Sequence, residues 1–175
     1  MTILNSQTFV GKPVTLNLNG FDESQETILQ QAMDRLIPIS PAWLNQLNFY
    51  QIEDEHPSDG TILMDVSVDY PYRFATINIY PRAWKPRNVE RFSQHLLHEF
   101  VHIWLEPCCR FSQHLLDNCC AKNDPASEQV IRSAYQDSIE SLVSDLTVLL
   151  NQVISEAPPK KMSVSEYSVI DQNHG

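Results

Sequence analysis

The sequence predicts an α+β domain in which a small three-stranded sheet, antiparallel or mixed, packs on a broad apolar helix, with a long helix following it. Three observations lead there. Short segments of alternating polarity cluster between residues 47 and 80. Two stretches with apolar residues every three or four positions follow them, over about 88–106 and 124–154. The strand-like segments are separated by short runs of Pro, Asp, Ser and Gly, which form turns rather than crossover helices. At 175 residues, with 42% apolar content and only 4 Gly, the chain can bury a core without disulfide or metal staples. A single domain over 1–156 followed by a tail or arm at 157–175 is the expected organisation.

The first helix spans Ser24 to Leu36, where Ile28, Leu29, Ala32, Met33 and Leu36 share one face. Ser24 is a capping residue, and Pro38 and Pro41 stop the helix. Leu47–Ile52 is the first strand expected. In the second, Ile62, Met64, Val66 and Val68 alternate with Leu63, Asp65 and Ser67; the third, Phe74–Tyr80, alternates in the same way. The turns Pro57-Ser58-Asp59-Gly60 and Asp69-Tyr70-Pro71 make an antiparallel meander the economical topology. A second helix runs from Asn88 or Val89 to Glu106 and stops at Pro107. Its stripe of Phe92, Leu96, Phe100 and Ile103 is widened by Leu97, Val101 and Trp104, so it is expected near the centre of the fold. A connecting segment follows, with room for a helical turn near Phe111–Asp117. Asp124 and Pro125 then read as N-cap and first residue of the longest helix. Its apolar stripe is Ile131, Tyr135, Ile139, Leu142, Leu146, Leu149 and Val153.

The charge balance, 22 acidic against 12 basic residues for a net charge of −10, disfavours nucleic acid as a partner. No apolar run is long enough to span a bilayer, and the first residues lack the pattern of a secretory signal, so a cytoplasmic protein is expected. The 4 cysteines form adjacent pairs, Cys108-Cys109 and Cys119-Cys120. Adjacency suits a four-thiolate zinc site poorly, because paired zinc cysteines are usually spaced by two to four residues. Reduced thiols are favoured, with a disulfide or a metal site as the alternatives.

The chemistry concentrates in QHLLHEFVHIW, Gln94 to Trp104. His98 and His102 are four apart on an expected helix, so their rings leave the same face on successive turns and can reach one cation. Neutral imidazole suits Zn²⁺, and two such ligands leave room for a third protein group and water. Glu99 is rotated about 100° around the helix from His98, which aims it at the attacking water rather than at the cation and casts it as general base. Two ordinary surface histidines on an amphipathic helix would produce the same string. His95 precedes His98 by three residues; three rings from one helix crowd a single ion, which leaves His95 a supporting or surface role.

The third ligand must come from another element. Glu140, in AYQDSIESLVSDL, is the leading candidate, because it lies mid-helix where a partly buried carboxylate can face the motif helix. Asp137 and His114 are the alternatives. Asp145 or Asp137 would orient a ligand imidazole by accepting its distal N–H, and Tyr135 or His114 would sit near the oxyanion.

His98-Glu99-Phe100-Val101-His102, and more loosely Tyr135 to Leu150, resemble the gluzincin branch of the zincin metallopeptidases, in particular small metallopeptidase-like domains of phage and bacteria. The resemblance implies a zincin-like fold in which His98, His102 and Glu140 bind zinc and Glu99 activates water. It also implies a protein or peptide substrate laid in extended form along an edge of the small sheet. The chain departs from the gluzincin pattern in placing three residues, rather than two, between Glu140 and Ser144-Asp145. An alternative use of such a scaffold is a catalytically silent binding or regulatory protein, with 157–175 as its contact to a partner protein.

Overall fold

The computed structural model describes residues 2–9, 12–56, 61–119 and 125–156. The expected tail 157–175, the turn at Pro57–Gly60, the Asp124 cap and Cys120 lie outside the described residues, as does the side chain of Cys119. In chain order the elements are β1 (Thr2–Phe9), β2 (Lys12–Asn19), α1 (Glu23–Leu36), β3 (Gln46–Gln51), β4 (Met64–Asp69) and β5 (Phe74–Ile79). The short α2 (Pro86–Val89) and the long α3 (Phe92–Cys119) and α4 (Pro125–Glu156) follow, with 3₁₀ turns at Ile37–Ile39 and Pro81–Trp84.

The strands form one mixed sheet of five, ordered β1-β2-β3-β5-β4. It is larger than the three strands expected, because the N-terminal hairpin β1–β2 adds two and joins β3 in parallel through α1. The meander is also corrected. β5 inserts between β3 and β4, parallel to the first and antiparallel to the second. No crossover helix is needed for this parallel pair, since the chain reverses twice between β3 and β5. The connection before β4 only has to span the extra strand width, about 10 Å.

Alternation along each strand separates two faces. Val14, Leu16 and Leu18 of β2, Leu47 and Phe49 of β3, and Ala75, Ile77 and Ile79 of β5 point inward. They form one core cluster with Leu29, Ala32, Met33 and Leu36 of α1 and with Phe92, Leu96, Phe100 and Ile103 of α3. The outer face is polar and tied across strands: Asn17 Nδ2 donates to Asn48 Oδ1 at 2.8 Å, and Asn48 Nδ2 to Thr76 Oγ1 at 3.5 Å. Two layers result, with helices on one side of the sheet.

α1 starts one residue before the position the sequence suggested. Asp22, not Ser24, is its N-cap, accepting from Gln25 N at 2.9 Å while Gln25 Oε1 accepts from Asp22 N at 3.0 Å. This reciprocal pair satisfies two backbone donors at once, which a serine at 24 facing Thr27 cannot do. Gly20, at φ +87°, turns the chain out of β2, and an added Cβ there would lie 3.3 Å from Gln51 Cβ.

α3 does not stop at Pro107. Proline deletes the N–H that would bond to the carbonyl of Ile103, yet the helix continues to Cys119. Contacts with α4 hold the extension: Tyr135 O–H donates to Cys109 O at 3.2 Å, and Arg132 pairs with Asp117 at 2.7 Å. The stripe expected on α4 holds at Tyr135, Ile139 and Leu146, which are half-buried, but elsewhere in the second half of the helix it is displaced by one residue. Val143 is buried and Leu150 and Ile154 pack on the core, while their neighbours Leu142, Leu149 and Val153 are exposed. Gln136, Glu140, Val143, Thr147, Leu150 and Ile154 repeat at intervals of four and three, so they share one face. Packing of the three apolar members therefore brings Glu140 round to α3.

Candidate metal centre

The buried first half of α3 fixes His98 and His102. Leu96, Leu97, Phe100, Val101 and Ile103 are all buried, so the helix cannot rotate without exposing them, and the two histidines emerge on the remaining face. Their ring centroids are 5.0 Å apart with planes inclined by 70°, and their Nε2 atoms approach to 3.3 Å. From α4, Glu140 Oε2 lies 3.6 Å from each of those nitrogens. Among the described residues, this is the one group of three or more His, Cys, Asp or Glu side chains whose donor atoms all lie within 4.8 Å of one another.

The spacing fits a small cation. The point equidistant from atoms separated by 3.3, 3.6 and 3.6 Å lies about 2.0 Å from each, within the zinc–imidazole and zinc–carboxylate range of about 2.0–2.2 Å. Two imidazole nitrogens and one carboxylate oxygen are also a donor set that zinc accepts. The described residues thus contain a site able to coordinate a metal ion, with a geometry compatible with zinc.

Glu99 sits beside the triad and is the one buried charged residue among those described, 9% exposed. Burial pushes its carboxyl up to about 8, and the negative charges of Asp65 and Glu140 add to the effect. A cation among His98, His102 and Glu140 would act in the opposite sense and favour its ionised form. Burial also lowers the His102 pKa, against the pull of the Glu140 carboxylate. A neutral imidazole has the lone pair that metal binding requires.

The other sequence candidates fall elsewhere. Asp137, Asp145 and His114 are exposed and lie outside the triad. His95 is half-buried, its pKa lowered first by burial and then by Arg91 and His98. The Tyr135 hydroxyl is directed at the Cys109 carbonyl. Cys108 and Cys109 are free thiols, and burial pushes Cys109 up from the usual thiol range.

Sequence reasoning missed two residues near the centre. Asp65, on β4, accepts from Asn78 Nδ2 at 2.9 Å and from the Tyr80 hydroxyl, and its charge reaches Glu99. No local pattern marks it, because the link to Glu99 depends on how β4 meets α3. Gln136 donates to Glu140 Oε1 at 3.2 Å. Its signal was available, as an amide four residues before a carboxylate on one helix.

A cleft of about 550 Å³ adjoins the triad. Val66 and Val68 of β4 form one wall, His102 and Cys109 of α3 and Tyr135 and Ile139 of α4 the other. Among the described residues β4 is an edge strand, so one side of the cleft is a sheet margin. Among the described residues no helix is long and apolar enough to cross a membrane. Comparison with protein-family models finds none that matches, and comparisons with curated proteins and with solved structures likewise find no match.

Proposed function

We propose that this chain is a zinc-dependent peptidase with His98, His102 and Glu140 as zinc ligands and Glu99 as general base. The observation that carries the reading is the convergence of three donor atoms from α3 and α4, at 3.3 and 3.6 Å separations, beside a buried carboxyl. When bound, zinc supplies Lewis-acid polarisation of the scissile carbonyl and makes water a competent nucleophile near neutral pH.

The chain's own residues do the rest. Glu99 takes the proton of the attacking water and returns it to the leaving amine, a role that requires the ionised carboxylate which a cation held by His98, His102 and Glu140 would favour. The edge of β4 receives an extended peptide by main-chain hydrogen bonding, while Val66 and Val68 contact its side chains. A cleft of about 550 Å³ beside the triad is room for several substrate residues, which supports hydrolysis over a silent binding scaffold.

The test is zinc content measured beside turnover of a peptide library. Glu99→Gln is expected to keep zinc and to lose about 10²–10⁴ of the rate, whereas His98→Ala or His102→Ala loses both. Wild-type protein that takes up no zinc would overturn the reading. Zinc uptake with no hydrolysis of any peptide would overturn its catalytic half.

A further inference from the structure

Glu140 is the least constrained of the three donors. Its side chain is 46% accessible, against 29% for His98 and 20% for His102. A glutamate so exposed samples many rotamers, and ordering it at the moment of binding weakens affinity. Two observations indicate that the ordering is done beforehand. Gln136 Nε2 donates to Glu140 Oε1 at 3.2 Å. The other oxygen, Oε2, is then 3.6 Å from both imidazole nitrogens.

We propose that Gln136 is a positioning residue for the metal centre. By holding Oε1 back along α4, it makes Glu140 a one-oxygen donor and raises the affinity of the site. The proposal rests on the triad being a zinc site, but it concerns a residue that need not touch the metal.

The residue type suits this role. The spacing from 136 to 140 places the amide over the turn preceding Glu140, where it can reach one carboxylate oxygen and leave the other to α3. A lysine or arginine could hold the same oxygen, but its charge would compete with the cation for the carboxylate and repel the cation itself. A glutamine donates without either penalty. A surface pair formed only to stabilise the helix gives no reason for the free oxygen to lie equally far from both imidazoles. Gln136 also lines the cleft beside His102, so the tether stands on the side of the centre where substrate would lie.

The test measures zinc affinity by chelator competition and ligand geometry from the absorption spectrum of the cobalt-substituted protein. Gln136→Met keeps the length of the side chain and removes the donor; because Gln136 is exposed, core packing is untouched, and the metal-free variant should melt as the wild type does. Zinc affinity is expected to fall about 10- to 100-fold, the usual consequence of losing a partner that orients a ligand, with an altered cobalt spectrum. Gln136→Lys should fall at least as far. In a Glu140→Ala background the additional effect of Gln136→Met should shrink to within about twofold, because the group it positions is gone.

Gln136→Met binding zinc within twofold of wild type would overturn the proposal while leaving the zinc site intact. So would an equal loss in the Glu140→Ala background, which would mean that Gln136 acts by another route. Wild-type protein with no zinc affinity would overturn the metal reading itself, a separate failure.

Discussion

Glu99→Gln should change how the stability of the metal-free protein depends on pH. Glu99 is buried, and its carboxyl is moved from an ordinary value of 4.5 to about 8, by burial first and then by Asp65 and Glu140. Below pH 4.5 the group is protonated in both folded and unfolded chains and has no effect. Between 4.5 and about 8 the unfolded chain releases the proton while the folded chain keeps it, so stability falls as pH rises. Above about 8 both forms are ionised, and the folded state is weaker by roughly 5 kcal/mol. Glutamine has no proton to release. Urea denaturation of chelator-treated protein at pH 5 and pH 9 should therefore show Glu99→Gln close to wild type at the lower pH and more stable by several kcal/mol at the higher. Added zinc should flatten the wild-type dependence, since a nearby cation favours the ionised carboxylate. Identical pH profiles for the two metal-free proteins would refute the assignment of Glu99 as a desolvated carboxyl.

Asp65→Asn removes one of the negative charges that raise Glu99 and should move its titration to lower pH, read from the Glu99 carboxyl carbon by NMR in metal-free protein; an unmoved midpoint would detach Asp65 from the site. Gly20→Ala forces an L side chain into a left-handed conformation 3.3 Å from Gln51 Cβ. It should cost about 1–2 kcal/mol, and an unchanged urea midpoint would argue that the turn into α1 relaxes freely.

How far these features could be read beforehand depended on whether they are local. His98, Glu99 and His102 stand on neighbouring turns of one helix, so their relation follows from helical geometry once the apolar stripe of α3 establishes that helix. Glu140 was legible for a related reason, its mid-helix position, but its rotation about α4 was not. The sets Leu142, Leu149, Val153 and Val143, Leu150, Ile154 have the same spacings of seven and four, and either could have been the packed face. Only contact with the core selects the second. Pro107 shows the same limit from the other direction: a dependable local stop signal yields to contacts made by residues 15 or more positions away, Asp117 with Arg132 and Cys109 with Tyr135.

The sheet was the least legible part. Alternation identified Leu47–Ile52, Ile62–Val68 and Phe74–Tyr80 as strands, but alternation says nothing about which strand lies beside which. In β2 the same signal was present, with Val14, Leu16 and Leu18 against Thr15, Asn17 and Asn19, and that strand went unread. The consequence reaches the candidate site. Had β4 paired with β3 as in a meander, it would have been an interior strand with both edges occupied. Because β5 takes that place, β4 is left at the margin with Val66 and Val68 facing the cleft. The open edge of β4 among the described residues is therefore a product of strand order, a non-local property, whereas His98, Glu99 and His102 are set by a five-residue stretch of helix.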